Sequence, residues 1–246
     1  MKKISFLVLY VLLSGCSSDL VAKRYRPDFQ TTITNSNKSV LILEPSVVAY
    51  KLADAKKENH EATNHLRVAV REAAIVALGK KGYKAVIISG DDETSSMKAF
   101  LKNKIERKTD FYVQKNHLNI GLVSEQEAMK LDDNFGNEAI ELGQIFNTDL
   151  ILGLQYKSVF LHDNSPGKFN GLLFQAVDAV AKTGLSKKEV YSCFVVLIDV
   201  KTGNVIYSNG LYQERTGWIY VSEKDLFNTN YKDQIATLIE IALPNP

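Results

Sequence analysis

The sequence predicts an α/β fold: a single, three-layer-like domain with a mixed sheet, made from a βαβ unit, a C-terminal antiparallel hairpin and a closing helix. Three observations carry this. Short continuous apolar runs, SVLILE at 39–44 and KAVIIS at 84–89, flank a long stretch of helical periodicity. That is the pattern of two buried parallel strands joined by a crossover helix. The segment CFVVLIDVKTGNVIYSN at 193–209 is apolar on both sides of a glycine-containing turn, which signals a hairpin. Last, residues 222–243 place Leu226, Ile235, Leu238, Ile239 and Ala242 at helical spacing.

The elements follow in order. Pro45 closes the first strand. In the helix that follows, Leu66, Ala69, Val70, Ala73, Val76 and Ala77 form one apolar stripe, while Arg67, Arg71 and Glu72 lie off it. Lys80, Lys81 and Gly82 end it, with cations against the helix dipole and a glycine free to take positive φ. Residues 90–133 read as a helix using Met97, Leu101 and Ile105, a minor strand HLNIGLV, and a short helix SEQEAMKLDD capped at Ser124 with Glu127 three residues on. A helix over 134–147, using Phe135, Ile140 and Ile145, delivers the third strong strand, TDLILGLQYKSVFL. Residues 162–188 interrupt the pattern. The hairpin pairs 190–199 with 205–213 through Lys201, Thr202, Gly203 and Asn204. No internal repeat is visible.

The first residues belong to a different category. Lys2 and Lys3 precede a ten-residue, almost wholly apolar run, and Ser14 and Gly15 follow it. This is the basic, apolar, small-residue layout of a signal peptide. The run is too short to span a bilayer, which takes about 20 residues. The tetrapeptide Leu13-Ser14-Gly15-Cys16 resembles the lipobox of bacterial lipoproteins, with cleavage between Gly15 and Cys16. The resemblance implies a thioether diacylglycerol on Cys16 and a further acyl chain, palmitate in kind, on the new amino terminus. Several buried acyl chains anchor durably, at about 0.8 kcal/mol per methylene. Asp19 stands fourth in the mature chain rather than second, which by the family's sorting rule implies the outer membrane, with the body in the periplasm. The expected division is therefore a signal peptide over 1–15, a lipidated tether over 16–38 and an α/β domain over 39–246.

Composition narrows the function. The formal charge of +2 lies wholly in Lys2 and Lys3, because residues 1–15 hold no acid. Without that excess the chain lacks the basic signature of a nucleic-acid binder. With Cys16 acylated, Cys193 has no partner for an internal disulfide. Mid-strand among Phe194 and Val195, it reads as a buried thiol.

Catalytic patterns are weak. His60 and Glu61 begin as a zinc-protease motif does, but the second histidine is His65, five residues on. At 100° per residue the pair diverges by about 140° around a helix, so no metal site is expected there. Asp149 and Asp199 each lie beside a strand end. A carboxylate pair can do acid–base work, but such residues more often fasten turns. No nucleophile elbow, phosphate loop or dinucleotide fingerprint is present. No catalytic residue, cofactor or metal is expected. Tyr212, Arg215, Trp218 and Tyr220 cluster after the hairpin, a composition enriched at interface hot spots and a candidate partner contact.

The chain as a whole resembles a group of bacterial envelope lipoproteins. It includes the curli-secretion lipoprotein, a penicillin-binding-protein activator lipoprotein and a neisserial-type surface lipoprotein, and the amino-terminal domain of the Tol propeller protein has a related fold. SVLILEP, ALGKKGYKAVIIS, LGQIFNTDLILGLQY and CFVVLIDVKTGNVIYSN carry the resemblance, over roughly 39–213. It implies a non-enzymatic protein that binds and assists assembly or regulation of another envelope complex. The alternatives are an oligomeric secretion-channel subunit, which would make this chain its own partner, and an envelope hydrolase. A channel strand needs about 9–11 residues of apolar/polar alternation. FNGLLFQAVDAVA lacks it, and FYVQKNHLNIGLV alternates only over Leu118, Ile120 and Leu122. The segment 17–38 is also much shorter than the disordered tether of the penicillin-binding-protein activator.

Overall fold

The computed structural model describes residues 19–21, 23–33, 38–51, 58–88, 96–117, 131, 133–161, 189–214, 221–222 and 229–245. The expected signal peptide, Cys16, most of the expected strand over 117–123 and helix over 124–133, the interruption at 162–188 and Leu226 lie outside them. The strands are β1 (Asp19–Val21), β2 (Arg24–Tyr25), β3 (Ser39–Ile42), β4 (Ser46–Lys51), β5 (Lys84–Ile87), β6 (Leu150–Leu161), β7 (Glu189–Asp199), β8 (Val205–Glu214) and β9 (Val221–Ser222). The helices are α1 (Phe29–Ile33), α2 (His60–Lys80), α3 (Ser96–His117), α4 (Asn137–Ile145) and α5 (Thr229–Ala242).

The strands form one mixed sheet in the order β1-β8-β7-β6-β3-β5. β3 runs parallel to both β5 and β6, as the βαβ pattern requires. The β7–β8 hairpin is antiparallel, with Gly203 at φ +71° in its turn. Here a positive φ is needed and glycine supplies it. Pro45 interrupts a strand line rather than ending it: β4 resumes alongside β6, pairing Ser46 with Gln155 through Lys51 with Phe160. The sequence suggests an end at Glu44, because proline cannot donate to a ladder.

Side chains alternate cleanly between the two faces. Val40, Ile42, Leu150, Leu152, Leu154, Cys193, Val195 and Leu197 bury against α2 and α5. Leu41, Leu43, Ile151, Phe194, Val196 and Ile198 bury against α3 and α4. The result is three layers, helices on both faces of a sheet.

α2 starts where Asn59 Oδ1 accepts from Ala62 N at 2.9 Å and ends ahead of Gly82 at φ +78°. Its buried stripe is rotated from the expected one. Ala74 and Leu78 are buried, whereas Val76 is 43% exposed, because Val76 sits about 100° behind Ala77 on the flank of the stripe. α3 is one helix of 22 residues. It takes in FYVQKNH at 111–117, because Tyr112, Val113 and Asn116 turn toward the sheet. Met97, expected in that helix's apolar row, is 54% exposed. α4 is shorter than expected, and Phe135 buries just ahead of it while Ile145 is exposed.

Residues 19–21 and 23–33 differ most from expectation. β1 and β2 pair antiparallel with β8, Asp19 opposite Gln213 and Tyr25 opposite Tyr207. Phe29 and Ile33 of α1 are buried in the main core, and the Phe29 ring stacks on Tyr207 at 5.3 Å. Over 19–33 the expected tether is part of the folded body. It covers what would otherwise be an open edge of β8.

Where β3 breaks, α3 presents two carboxyls. Glu106 accepts from Glu44 N at 3.1 Å. Burial pushes the Glu106 carboxyl up, against Lys102, with Glu44 and Asp110 adding to the rise. Burial also raises Asp110, opposed by a hydrogen bond with Ser46. An acid raised on folding contributes stability that is complete below its ordinary value and is lost as pH rises through the folded value. Glu106→Gln keeps an acceptor for Glu44 N and removes the charge. The variant should melt higher than wild type at pH 7.5, with the gap closing by pH 4. Thermal melts at the two pH values check this.

Candidate functional site

Of the residues expected at a partner contact, Tyr212 lies on β8 opposite Leu20 and Ser192. Arg215, Trp218 and Tyr220 lie outside the described residues, as do Gly15 and Cys16.

Asp149 and Asp199 are neighbours across the sheet, since Leu150 pairs with Asp199, but both are occupied as fasteners. Asp149 Oδ2 accepts from Ser39 N and from Ser39 Oγ, each at 2.9 Å. In return Asp149 N donates to Ser39 O at 3.0 Å. Burial pushes the Asp149 carboxyl up, yet the Ser39 hydrogen bonds and the nearby Lys38 and Lys201 outweigh it and hold the group below its ordinary value. This links the starts of β3 and β6. Asp199 Oδ2 accepts from Thr202 Oγ1 at 2.7 Å, and Asp199 O accepts from Gly203 N at 2.8 Å, closing the hairpin turn. Asp199 thus takes the turn-fastening role, while Asp149 fastens two strand starts that are 110 residues apart.

Asp149→Ala should cost about 1–3 kcal/mol, the range for leaving a buried donor without its acceptor. A carboxylate lowered on folding contributes above its ordinary value and loses that contribution as pH falls through the folded value. The gap between Asp149→Asn and wild type should therefore narrow below about pH 4. Denaturant unfolding at pH 7 and pH 3 checks both.

His60 opens α2 fully toward solvent, with Nδ1 3.8 Å from Glu58 Oε1. His65 is also exposed. Cys193 is buried on β7, and burial pushes its thiol up to about 12, the opposite of an activated nucleophile. Among the described residues no group of three His, Cys, Asp or Glu side chains is placed to hold a metal.

The notable surface feature lies elsewhere, on α3. Phe100, Asn103, Lys104, Arg107, Lys108, Phe111 and Lys115 line a cleft of about 720 Å³ against Asp133, Asn134 and Phe135. The Phe100 and Phe111 rings are 58% and 70% exposed, while Phe135 is buried. The far wall is built by tertiary contacts. Phe135 N donates to Gly203 O at 2.7 Å and Val205 N to Asp133 O at 3.0 Å, so residues 133–135 are strapped to the hairpin turn. Asn134 Nδ2 adds bonds to Thr202 O at 3.0 Å and Asn204 Oδ1 at 2.6 Å.

Acidic groups at the rim engage three of the four cations. Lys104 and Lys108 both pair with Glu138, Lys108 at 3.1 Å, and Lys115 pairs with Asp133 at 3.3 Å. Hydrogen bonding from Lys104 above all, then from the Glu138 backbone and Lys108, holds the Glu138 carboxyl down at about 2. Arg107 has no ion pair among the described residues. Sequence reading missed the cleft because these residues converge only once 106–117 is helical and 133–135 is docked.

No protein-family model matches the chain, and no curated protein matches it. Among solved structures, the chain is similar to a PelC dodecamer variant from Paraburkholderia phytofirmans. The match covers 91% of this chain and 96% of that one at 14% identity, with a TM-score of 0.38. A second PelC dodecamer structure from the same organism matches over 90% and 96%, at 12% identity and a TM-score of 0.36. The C-terminal domain of LpoB from Salmonella enterica matches over 76% of this chain and 91% of that one, at 14% identity and a TM-score of 0.31. Likeness at this level leaves function to be read from the chain's own residues.

Proposed function

We propose that this chain is a lipoprotein of the bacterial outer membrane, anchored on the periplasmic face through acylated Cys16. In this reading it binds another cell-envelope protein complex and assists its assembly or regulation, and catalyses no reaction itself. The observation that carries the reading is Leu13-Ser14-Gly15-Cys16 at the end of a ten-residue apolar run that follows two lysines. Two further facts fit. Among the described residues no helix is long and apolar enough to cross a membrane. The only other cysteine is buried, which leaves Cys16 as the thiol for modification.

The binding half of the reading rests on composition and exposure. Aromatic and arginine side chains are enriched where proteins meet. Phe100, Phe111 and Arg107 supply that combination on one accessible helix face.

Fractionation of a Gram-negative host expressing the full chain tests the anchor. Wild type should sediment with the outer membrane, and Cys16→Ser should leave that fraction. A Cys16→Ser form that still sediments there contradicts the anchor. Crosslinking in cells tests the adaptor role: the acylated chain should return an envelope protein. Recovery of lipoprotein-export machinery alone contradicts it.

A further inference from the structure

We propose that the α3 cleft binds an acidic peptide segment of the envelope partner, with Arg107 taking a carboxylate between two aromatic anchors. This rests on the adaptor reading above and supplies the chemistry of its contact.

The helix geometry makes the case. At 100° per residue, Met97, Phe100, Lys104, Arg107, Lys108, Phe111 and Lys115 fall within an arc of about 100°. Every charged residue on that arc is a cation. Phe100 and Phe111 are eleven positions apart, so at 1.5 Å per residue they stand about 16 Å from each other. An extended segment of about five residues spans that length. Between the rings stand Lys104, Arg107 and Lys108.

Glu138 and Asp133 engage the three lysines, while Arg107 has no acidic partner among the described residues. A guanidinium presents a planar fork that matches a carboxylate in bidentate fashion. A peptide with acidic side chains between apolar ends therefore complements both the charge and the exposed rings.

The direction of the cleft separates this occupant from the anchoring membrane. Asp19, opposite Gln213, marks the end of the sheet nearest Cys16 in sequence. They are three positions apart, a reach of at most about 11 Å. The cleft wall at 133–135 is strapped to Gly203 and Val205 at the other end of β8. Asn204 and Gln213 are nine positions apart, about 30 Å along the strand. With the lipid at one end of β8, that wall stands at the end remote from the bilayer.

The test uses the mature acylated chain in nanodiscs of phosphatidylcholine. The probe is a dye-labelled peptide, Leu-Asp-Glu-Asp-Glu-Phe, and the control is its amide counterpart, Leu-Asn-Gln-Asn-Gln-Phe. Anisotropy should show the acidic peptide binding at least about tenfold more tightly than the amide peptide. Arg107→Glu should weaken it by about tenfold or more, as should Phe100→Ala with Phe111→Ala, while Lys84→Glu on β5 changes nothing. These side chains are exposed, so all variants should melt with wild type. Equal binding of the two peptides, or no effect of Arg107→Glu, overturns the proposal. So does Arg107-dependent binding to vesicles containing phosphatidylglycerol without peptide binding, which would make the face a membrane contact. Loss of acylation with intact Arg107-dependent peptide binding would sink the anchor and leave the cleft. Intact anchoring without peptide binding would do the reverse.

Discussion

Replacing Phe29 by alanine should destabilise the protein by about 3–5 kcal/mol, the cost of emptying a well-packed aromatic site. The residue lies in the segment that sequence alone assigns to a solvated tether, where the same change would cost nothing measurable. In the structure it is 3% exposed, stacks on Tyr207 at 5.3 Å and is tilted against Tyr25 at 6.3 Å. For a chain of this size 3 kcal/mol corresponds to a fall in Tm of roughly 6–12 °C. Arg24 Nη1 donates to Asn116 Oδ1 at 2.6 Å, so the same segment is also tied to the end of α3. Thermal melts of wild type and Phe29→Ala decide between the two pictures. An unchanged Tm would mean that the segment is a tether after all. Under the anchoring reading the consequence is positional: a body folded from residue 19 onward sits close to the membrane.

Gly153→Ala should cost about 1–3 kcal/mol by overpacking, although a methyl group is usually harmless in a strand. Gly153 is where β6 passes under α3, and a Cβ there would overlap Thr109 Cγ2 and stand 3.2 Å from Thr109 Oγ1. Thr109 itself is 5% exposed and donates to Ile105 O at 3.0 Å. α3 would have to lift, and the cleft wall rides on it. Thr109→Ala clears the overlapping methyl, so the double variant should recover part of the loss, with a coupling energy of about 0.5–3 kcal/mol for residues in contact. Denaturant unfolding of the four proteins measures it. Additive effects would show that the helix does not rest on this glycine.

Some of the fold is legible because the signal is local. Residues 39–42 and 84–87 are continuous apolar runs, and Gly203 marks a turn by its own backbone freedom. Asp199 shows its role through short-range turn chemistry, accepting from Thr202 three residues on, whereas Asp149 is held by Ser39, 110 residues away. Other elements are decided by distant partners. β1 and β2 are 3 and 2 residues long, too short for any periodicity, and they exist because β8 offers an edge. α3 runs on through 111–117 because the sheet beneath takes Tyr112, Val113 and Asn116 at helical spacing. Tyr112 also donates to Ser208 Oγ at 3.0 Å, a partner 96 residues away that no local window contains. The cleft inherits this: Arg107 and the two Phe residues align only on a helix, and their opposite wall depends on Asn134 meeting the hairpin turn. The Tyr212, Arg215, Trp218 and Tyr220 cluster was proposed from composition, whereas the α3 face rests on exposure and geometry.

The account depends on where the mature chain begins. Intact-mass and amino-terminal peptide mass spectrometry of the protein purified from the outer membrane of a Gram-negative host reads that directly. The account predicts a first residue of Cys16, carrying a diacylglycerol thioether and an amide-linked acyl chain, with residues 1–15 gone. A chain that keeps Met1, or one with an unmodified Cys16 thiol, would contradict it.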